Sequence, residues 1–103
     1  MGTISHNAII VTDNRLEWLE KAAAKARELG GTVLGPSEPG TNAYRTLVLC
    51  PDGSKEGRGT SNDGDARRDA FVQWLREQRH EYPDWVEVQY GELGYGVVRS
   101  DED

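Results

Sequence analysis

Two short apolar runs along the chain predict the central strands of a sheet. The first covers residues 7–11, NAIIV, and the second is TLVLC, the last five residues of the segment AYRTLVLC at residues 43–50. Both lack the alternation of a half-exposed strand, which is typical of strands covered on both faces. We therefore predict that these strands lie inside the sheet. We also expect its two faces to be at least partly covered, by helices on one side and by edge residues, the C-terminal segment or a second copy on the other.

The segment NRLEWLEKAAAKARELGG, residues 14–31, repeats apolar residues at three-to-four spacing and predicts an amphipathic helix. We expect Asn14 to cap its start, with Glu17 three residues later completing a capping box. Gly30 and Gly31 are expected to end the helix, because glycine adopts the left-handed conformation that stops one.

A second amphipathic helix is predicted within residues 65–80, DARRDAFVQWLREQRH, where apolar side chains again form one stripe. Asp63 and Asp65 stand at its start and are expected to cap the first turn. Pro83 ends any helix that reaches Glu81, since proline lacks the backbone N–H that a helix needs.

Two shorter segments, residues 32–34 and 85–90, complete the four predicted strands, and residues 95–99 form either a short fifth strand or an extension. The order strand, helix, strand, strand, helix, strand is that of the split βαβ or ferredoxin-like arrangement. We therefore predict an α+β fold with an antiparallel sheet and two helices on one face. A single domain is expected over residues 1–103, with a frayed acidic end at residues 100–103.

The net charge of the chain limits the classes of partner that it can be expected to bind. The formal net charge is −6 over 103 residues, which disfavours binding to nucleic acid or to an anionic membrane surface. The longest apolar stretches are about five residues, far short of the roughly 20 that span a bilayer. A single cysteine, Cys50, lies in an apolar run and is expected to stay reduced, which indicates the cytoplasm.

The glycine-rich stretch PDGSKEGRGTSNDGDARRD, residues 51–69, lacks the Gly-Lys pair of a Walker loop and the third glycine of a dinucleotide fingerprint. The default interpretation is a solvated connection that leads into a helix cap. The alternative is a site for a small phosphorylated or nucleotide-like ligand, with Lys55, Arg58, Arg67 and Arg68 as anion contacts.

No constellation of side chains predicts a catalytic or metal centre. Asp52, Asp63 and Asp65 lack the spacing of a calcium loop, and His6 and His80 have no third zinc ligand in view. Neither histidine accompanies a nucleophile in a recognisable elbow. We predict no metal, no cofactor and no catalytic residue, and a binding protein rather than an enzyme, while the enzyme alternative stays open.

The runs TISHNAIIVT, PDGSKEG, DARRDAFVQWL and WVEVQYG together resemble small uncharacterised proteins encoded by bacterial phages and prophages. The resemblance covers much of the chain but includes no motif of known mechanism, so it assigns no role to any residue. It implies an accessory function, such as binding and inhibiting a host protein complex or a host defence complex.

Three functional hypotheses follow. The leading one is a non-enzymatic interaction protein that uses residues 35–45, residues 52–65 and exposed aromatic side chains, of which Trp18 lies beside the helical stripe. The second is a binder of, or an enzyme acting on, a small phosphorylated or nucleotide-like ligand, which would use residues 52–68. The third is a structural or regulatory subunit whose uncovered sheet face pairs with another chain or forms a homodimer. The predicted binding residues are Tyr44, Arg45, Lys55, Arg58, Asp63, Arg67, Arg68 and Trp18.

Overall fold

Five strands and two α-helices make up the described chain. The computed structural model describes residues 3–54 and 59–103, without the side chains of residues 60 and 61. In chain order the elements are β1 (Ser5–Asp13), α1 (Leu16–Glu28), β2 (Val33–Leu34), β3 (Arg45–Leu49), α2 (Gly59–Glu77), β4 (Asp84–Gly91) and β5 (Gly96–Ser100). Short 3₁₀ helices lie at Thr41–Ala43 and Arg79–Glu81.

The strands form one antiparallel sheet in the order β2-β3-β1-β4-β5. The α+β class is therefore confirmed, and the two apolar runs form the interior strands β1 and β3. Ile9 of β1 lies opposite Leu49 of β3 on one side and opposite Glu87 of β4 on the other. This register decides which side chains of every strand face the helices, because successive residues of a strand point to opposite faces.

The hydrophobic core lies between one face of the sheet and the two helices. Alternate residues of β1 and β3 point into it, among them Ile9 and Leu47, and they meet Leu19 of α1 and Phe71 of α2. Each such side chain stabilises the fold by about 1.5–3 kcal/mol when it leaves water completely. The remaining core members are Val11, Trp18, Ala22, Ala23, Ala26, Leu49, Val72, Leu75 and Trp85.

The start of α1 differs from the prediction. Arg15 occupies the position before the helix, and no side chain caps it, so the capping box of Asn14 and Glu17 is wrong. Instead Asp13, the last residue of β1, accepts the backbone N–H of Arg15 at 2.8 Å and its guanidinium at 2.8 Å. The predicted end is confirmed, since Gly30 has a φ of +92° and donates its N–H to the carbonyl of Arg27.

Helix α2 begins at Gly59, six residues before the predicted start at Asp65. Asp63 and Asp65 therefore lie inside the helix, and their prediction as caps is wrong. Two contacts favour the longer helix: Asp65 pairs with Arg68 three residues later, and the Asp52 carboxylate lies against Gly64, which has no side chain to exclude it. The connection before α2 is correspondingly shorter than the sequence suggested.

Candidate functional site

A buried carboxylate, Glu87, lies on the helix-facing side of β4. Along this strand Trp85 and Glu87 point toward the helices, while Val86 and Val88 point toward the opposite face. Glu87 is only 2% exposed. A charge that has left water this completely requires charged or hydrogen-bonding partners, because otherwise its desolvation would cost several kcal/mol.

Arginine and asparagine side chains supply those partners. Arg99 donates its Nε–H to Glu87 Oε1 at 2.6 Å, and Asn7 donates to Oε2 at 2.9 Å. The Nε atom of Arg68 lies 3.5 Å from Oε2. Two carboxylates on the helix surface extend the arrangement, since Asp69 pairs with Arg99 at 2.8 Å and Asp65 pairs with Arg68. We call these six residues the Glu87 cluster: Asn7, Asp65, Arg68, Asp69, Glu87 and Arg99.

The Glu87 cluster is built to hold charges in place. Burial lowers the pKa of Arg99, but its bonds to Glu87 and Asp69 raise that pKa by more, and the net result lies above the ordinary value. Both oxygens of Glu87 accept hydrogen bonds within the protein, and the side chain is almost completely buried, so the described structure holds this carboxylate as a partner of Arg99 and Asn7. The cluster joins α2 and β5 to the central strands, and we assign it a structural role.

The predicted anion contacts Arg67 and Arg68 are also engaged by the protein. Arg67 donates to the carbonyl of Leu29 at 3.2 Å, at the end of α1. Both arginines lie near Asp52, whose pKa is raised by burial but lowered by more through hydrogen bonds from Ser54 and the two positive charges, so that it lies below its ordinary value. Each guanidinium thus makes contacts within the protein, Arg67 through its Nε–H and Arg68 through its pairing with Asp65 and Glu87.

The remaining predicted binding residues of this segment are Asp63, Lys55 and Arg58. Asp63 is exposed on the surface of α2. Lys55 and Arg58 lie outside the described residues. The small anionic ligand thus stays a prediction, and no contact in the described chain supports it.

Tyr44 and Arg45 lie at one end of the sheet. Tyr44 is exposed immediately before β3, as an interface residue would be, and Arg45 lies opposite Asp13 at the end of β1. Arg68 lies beside Glu87 of β4, and Glu87 is opposite Ile9, which is nearer to the Ser5 end of β1 than Asp13 is. The structure therefore does not bring the two parts of the predicted binding surface together.

The expected exposure of Trp18 is wrong, because this side chain is 6% exposed and belongs to the core. Its ring stacks on Trp74 of α2 with the centroids 6.0 Å apart, and the guanidinium of Arg15 lies 5.6 Å from it. The apolar stripe of α1 is wider than the strict three-to-four pattern and includes Trp18 beside Leu19. The Nε1 atom of Trp18 is buried and has no hydrogen-bond acceptor among the described residues.

The sheet surface opposite the helices is apolar, and neither α1 nor α2 packs on it. We call it the open face. Ile10 at its centre lies between Val48 and Val86 on the neighbouring strands. Ser100 of β5 lies opposite Val86, and the polar positions of β1 and β4 occur toward the ends of the face. The open face consists of Ala8, Ile10, Val48, Val86 and Val88, with Leu34 of β2 and Val97 of β5 at its two sides. None of these seven side chains is charged.

A second apolar surface covers the β4–β5 hairpin and the edge strand β5. We call it the hairpin patch, and it consists of Tyr90, Leu93, Tyr95, Val97 and Val98, all of them exposed. The hairpin patch adjoins the open face and shares Val97 with it. A shallow hollow of about 320 Å³ lies among Leu93, Tyr95, Val97 and the residues beside them. Sequence reasoning treated this segment as a glycine-rich turn and a short strand, and the signal it passed over was the density of aromatic and branched residues between the glycines.

A metal-binding cluster and a membrane-spanning helix are both absent from the residues that the structure describes. Within residues 3–54 and 59–103, no three His, Cys, Asp or Glu side chains are grouped so as to hold a metal ion. No helix in these ranges has the length and apolarity needed to cross a membrane.

The open face and the hairpin patch are thus the candidate functional surfaces, because the Glu87 cluster is occupied by its own members. Comparison with protein-family models, with curated proteins and with solved structures gives no match to this chain.

Proposed function

We propose that the chain is a non-enzymatic interaction protein that binds a partner protein through the hairpin patch. The observation that carries this proposal is the clustering of exposed apolar side chains. Of the nine large apolar residues that are exposed in the described chain, five belong to the hairpin patch. Single exposed apolar residues are common on any protein surface, whereas a contiguous group is characteristic of an interaction site.

The partner that fits this surface presents an extended apolar segment. β5 is the outermost strand of the sheet, and Gly96–Ser100 contains neither the lysine nor the proline that commonly protects an edge. Its one charge, Arg99, is turned inward to Glu87 and Asp69. A segment of the partner pairs with this edge and places an apolar side chain in the hollow.

The shape of the edge and the net charge of the chain set the expected affinity of the complex and the expected charge of the partner. A register shift between β4 and β5 at Glu87 and Val88 limits the regular edge to a short stretch, so side-chain contacts carry most of the affinity. The net charge of −6 favours a partner with basic residues beside the apolar segment. The resemblance to phage proteins extends the proposal, in that the partner is a host protein complex in the cytoplasm, such as a defence complex, which the chain inhibits.

We also propose that the fold is a ferredoxin-like arrangement extended by one strand. The helices connect β1 to β2 and β3 to β4, while β1 and β3 are neighbours in the interior of the sheet. Removing β5 from the observed order leaves β2-β3-β1-β4, which supports the proposal.

The binding proposal is tested by capture from host lysate with matched tyrosine variants. Tyr95→Ser alters the hairpin patch, and Tyr82→Ser alters a tyrosine outside it with nearly the same exposure, 84% against 86%. We expect Tyr95→Ser to reduce recovery of the captured partner about tenfold or more, as loss of an aromatic interface residue does. Tyr82→Ser should leave recovery unchanged.

A direct measurement locates the contact. On addition of the purified partner, hydrogen exchange should slow at the amides of β5, because edge pairing protects them. Equal recovery with both variants, or protection confined to another part of the chain, would contradict binding through the hairpin patch.

A further inference from the structure

We propose that the open face is covered by a second copy of this chain, with the two sheets packed face to face. The central side chains are Ala8, Ile10, Val48, Val86 and Val88, and the helices pack on the opposite face of the sheet. Ala8 is 6% exposed between its larger neighbours, and the other four are half-buried. Two such faces are chemically identical, so each provides the apolar surface that the other requires.

The choice of side chains on the open face indicates that it is covered. Threonine favours a strand about as well as valine or isoleucine, and with one methyl group fewer it leaves less apolar surface in water. At one end the chain does use threonine, since Thr12 and Thr46 lie side by side and share a hydrogen bond of 2.8 Å. Between this pair and Tyr90, the open-face positions of β1 and β4 are aliphatic, and Ser100 of β5 lies beside them opposite Val86.

The distribution of charge favours a second copy in spite of the negative net charge. None of the open-face side chains is charged, and the nearest carboxylates, Asp84 and Asp101, border a hollow with Ile10 and Val86 toward one end of the face. Asp84 lies at one end of β4 and faces Thr12, whereas His6 and Tyr90 lie at the other end with their rings 5.2 Å apart. In the proposed dimer the two-fold axis lies between the two sheets, parallel to their planes and perpendicular to the strands. This axis places the Asp84 end of one copy over the His6 end of the other.

The size of the face sets the strength of the dimer. Strands about 4.8 Å apart with a rise of about 3.4 Å per residue give the sheet a face of roughly 500 Å². Two copies therefore bury about 1,000 Å² in total, which is near the lower limit for a specific interface. We expect a dimer that forms reversibly and depends on protein concentration.

Ile10 provides the test, because it lies on the central strand β1 and near the proposed axis. Ile10→Lys and Ile10→Glu should each be monomeric in sedimentation velocity at concentrations where the wild type is dimeric. Mixing the two variants should restore a dimer, since each lysine then meets a glutamate across the axis. Leu16→Lys, an exposed leucine on α1 away from the open face, is the matched control and should remain dimeric.

A second pair of changes tests the same interface if Ile10→Lys fails to fold. Val86→Thr together with Val88→Thr keeps the shape and strand preference of both side chains and should weaken the dimer about tenfold. A wild type that is monomeric at every concentration, or variants that dimerise like the wild type, would overturn the proposal. All these substitutions lie outside the hairpin patch, so a monomer that still captures its partner contradicts only the dimer, and a dimer that captures nothing contradicts only the proposed function.

Discussion

Replacement of Glu87 by glutamine removes the negative charge that Arg99 and Arg68 share and preserves the length and volume of the side chain. Removing one partner from a fully buried ion pair costs about 3–5 kcal/mol, because the other charge is left without compensation. The side chain of Arg99 is 25% exposed and keeps its bond to Asp69, so part of this cost is relieved. We therefore expect a loss of about 3 kcal/mol in the free energy of unfolding, from a total of about 5–15 kcal/mol for a domain of this kind.

A double-mutant cycle separates the ion pair from general effects of substitution. Arg99→Met removes the cation and retains much of the aliphatic volume. With both changes present, neither charge is left unpaired by the loss of the other, so the double variant should be more stable than the sum of the single effects predicts. We expect a coupling free energy of about 2 kcal/mol, within the range measured for residues in one buried network.

Urea denaturation followed by tryptophan fluorescence measures these differences, since Trp85 is buried two residues from Glu87 on the same strand. With a slope of about 1.5 kcal/mol per molar urea, a loss of 3 kcal/mol lowers the midpoint by about 2 M. Glu20→Gln, an exposed glutamate on α1, is the control and should change stability by less than about 0.5 kcal/mol. Equal midpoints for Glu87→Gln and Glu20→Gln, or an additive cycle, would refute the assignment of Glu87 as a buried, paired charge.

Three other changes test separate parts of the fold. Gly35→Ala should lower the melting temperature by about 10 °C, because Gly35 has a φ of +100° and an added Cβ would lie 2.6 Å from a carbonyl of β3, whereas Gly40→Ala meets only an ordinary contact at 3.6 Å and should melt near the wild type. Arg15 holds the pKa of Asp13 below its ordinary value although burial raises it, so Asp13 stabilises the fold above its unfolded pKa of about 3.9 and loses this contribution as the pH falls through its folded value. The stability of Asp13→Asn should therefore approach that of the wild type only in acid, and a stability difference that stayed constant across pH would contradict this. Trp18→Phe should cost less than about 1 kcal/mol in a chemical denaturation experiment, because removal of an unpaired buried N–H offsets the lost volume, and a loss of about 3 kcal/mol would show that this N–H is satisfied.

The interior strands and the end of α1 could be predicted because each depends on local pattern. NAIIV and TLVLC are continuous apolar runs, and such runs belong inside a sheet wherever they fall in the chain. Gly30 stops α1 through its own backbone conformation, which requires no distant residue. In both cases a few adjacent residues contain the whole signal.

The Glu87 cluster could not be predicted in this way, because its members meet only after the chain has folded. Glu87 bonds to Arg99 at a separation of 12 residues and to Asn7 at a separation of 80. Alternation along WVEVQY places Glu87 on the same side as Trp85, but hydropathy alone favours burial of the valine side. The start of α2 was missed for a related reason, since the contact of Asp52 with Gly64 and the pairing of Asp65 with Arg68 appear only once that segment is helical.

The register of β4 shows how the buried cluster and the open face depend on each other. A slip of one residue against β1 would turn Val86 and Val88 toward the helices and bring Glu87 and Trp85 to the other side of the sheet. That slip would bury two valines, but it would separate Glu87 from Arg99 and remove the large ring of Trp85 from the core. The ion pair and the tryptophan therefore fix the register, and this register leaves the valines of β4 outside the core. These valines are half-buried in the single chain, and a second sheet would remove from water the apolar surface that they still expose, a surface that threonine in their place would reduce.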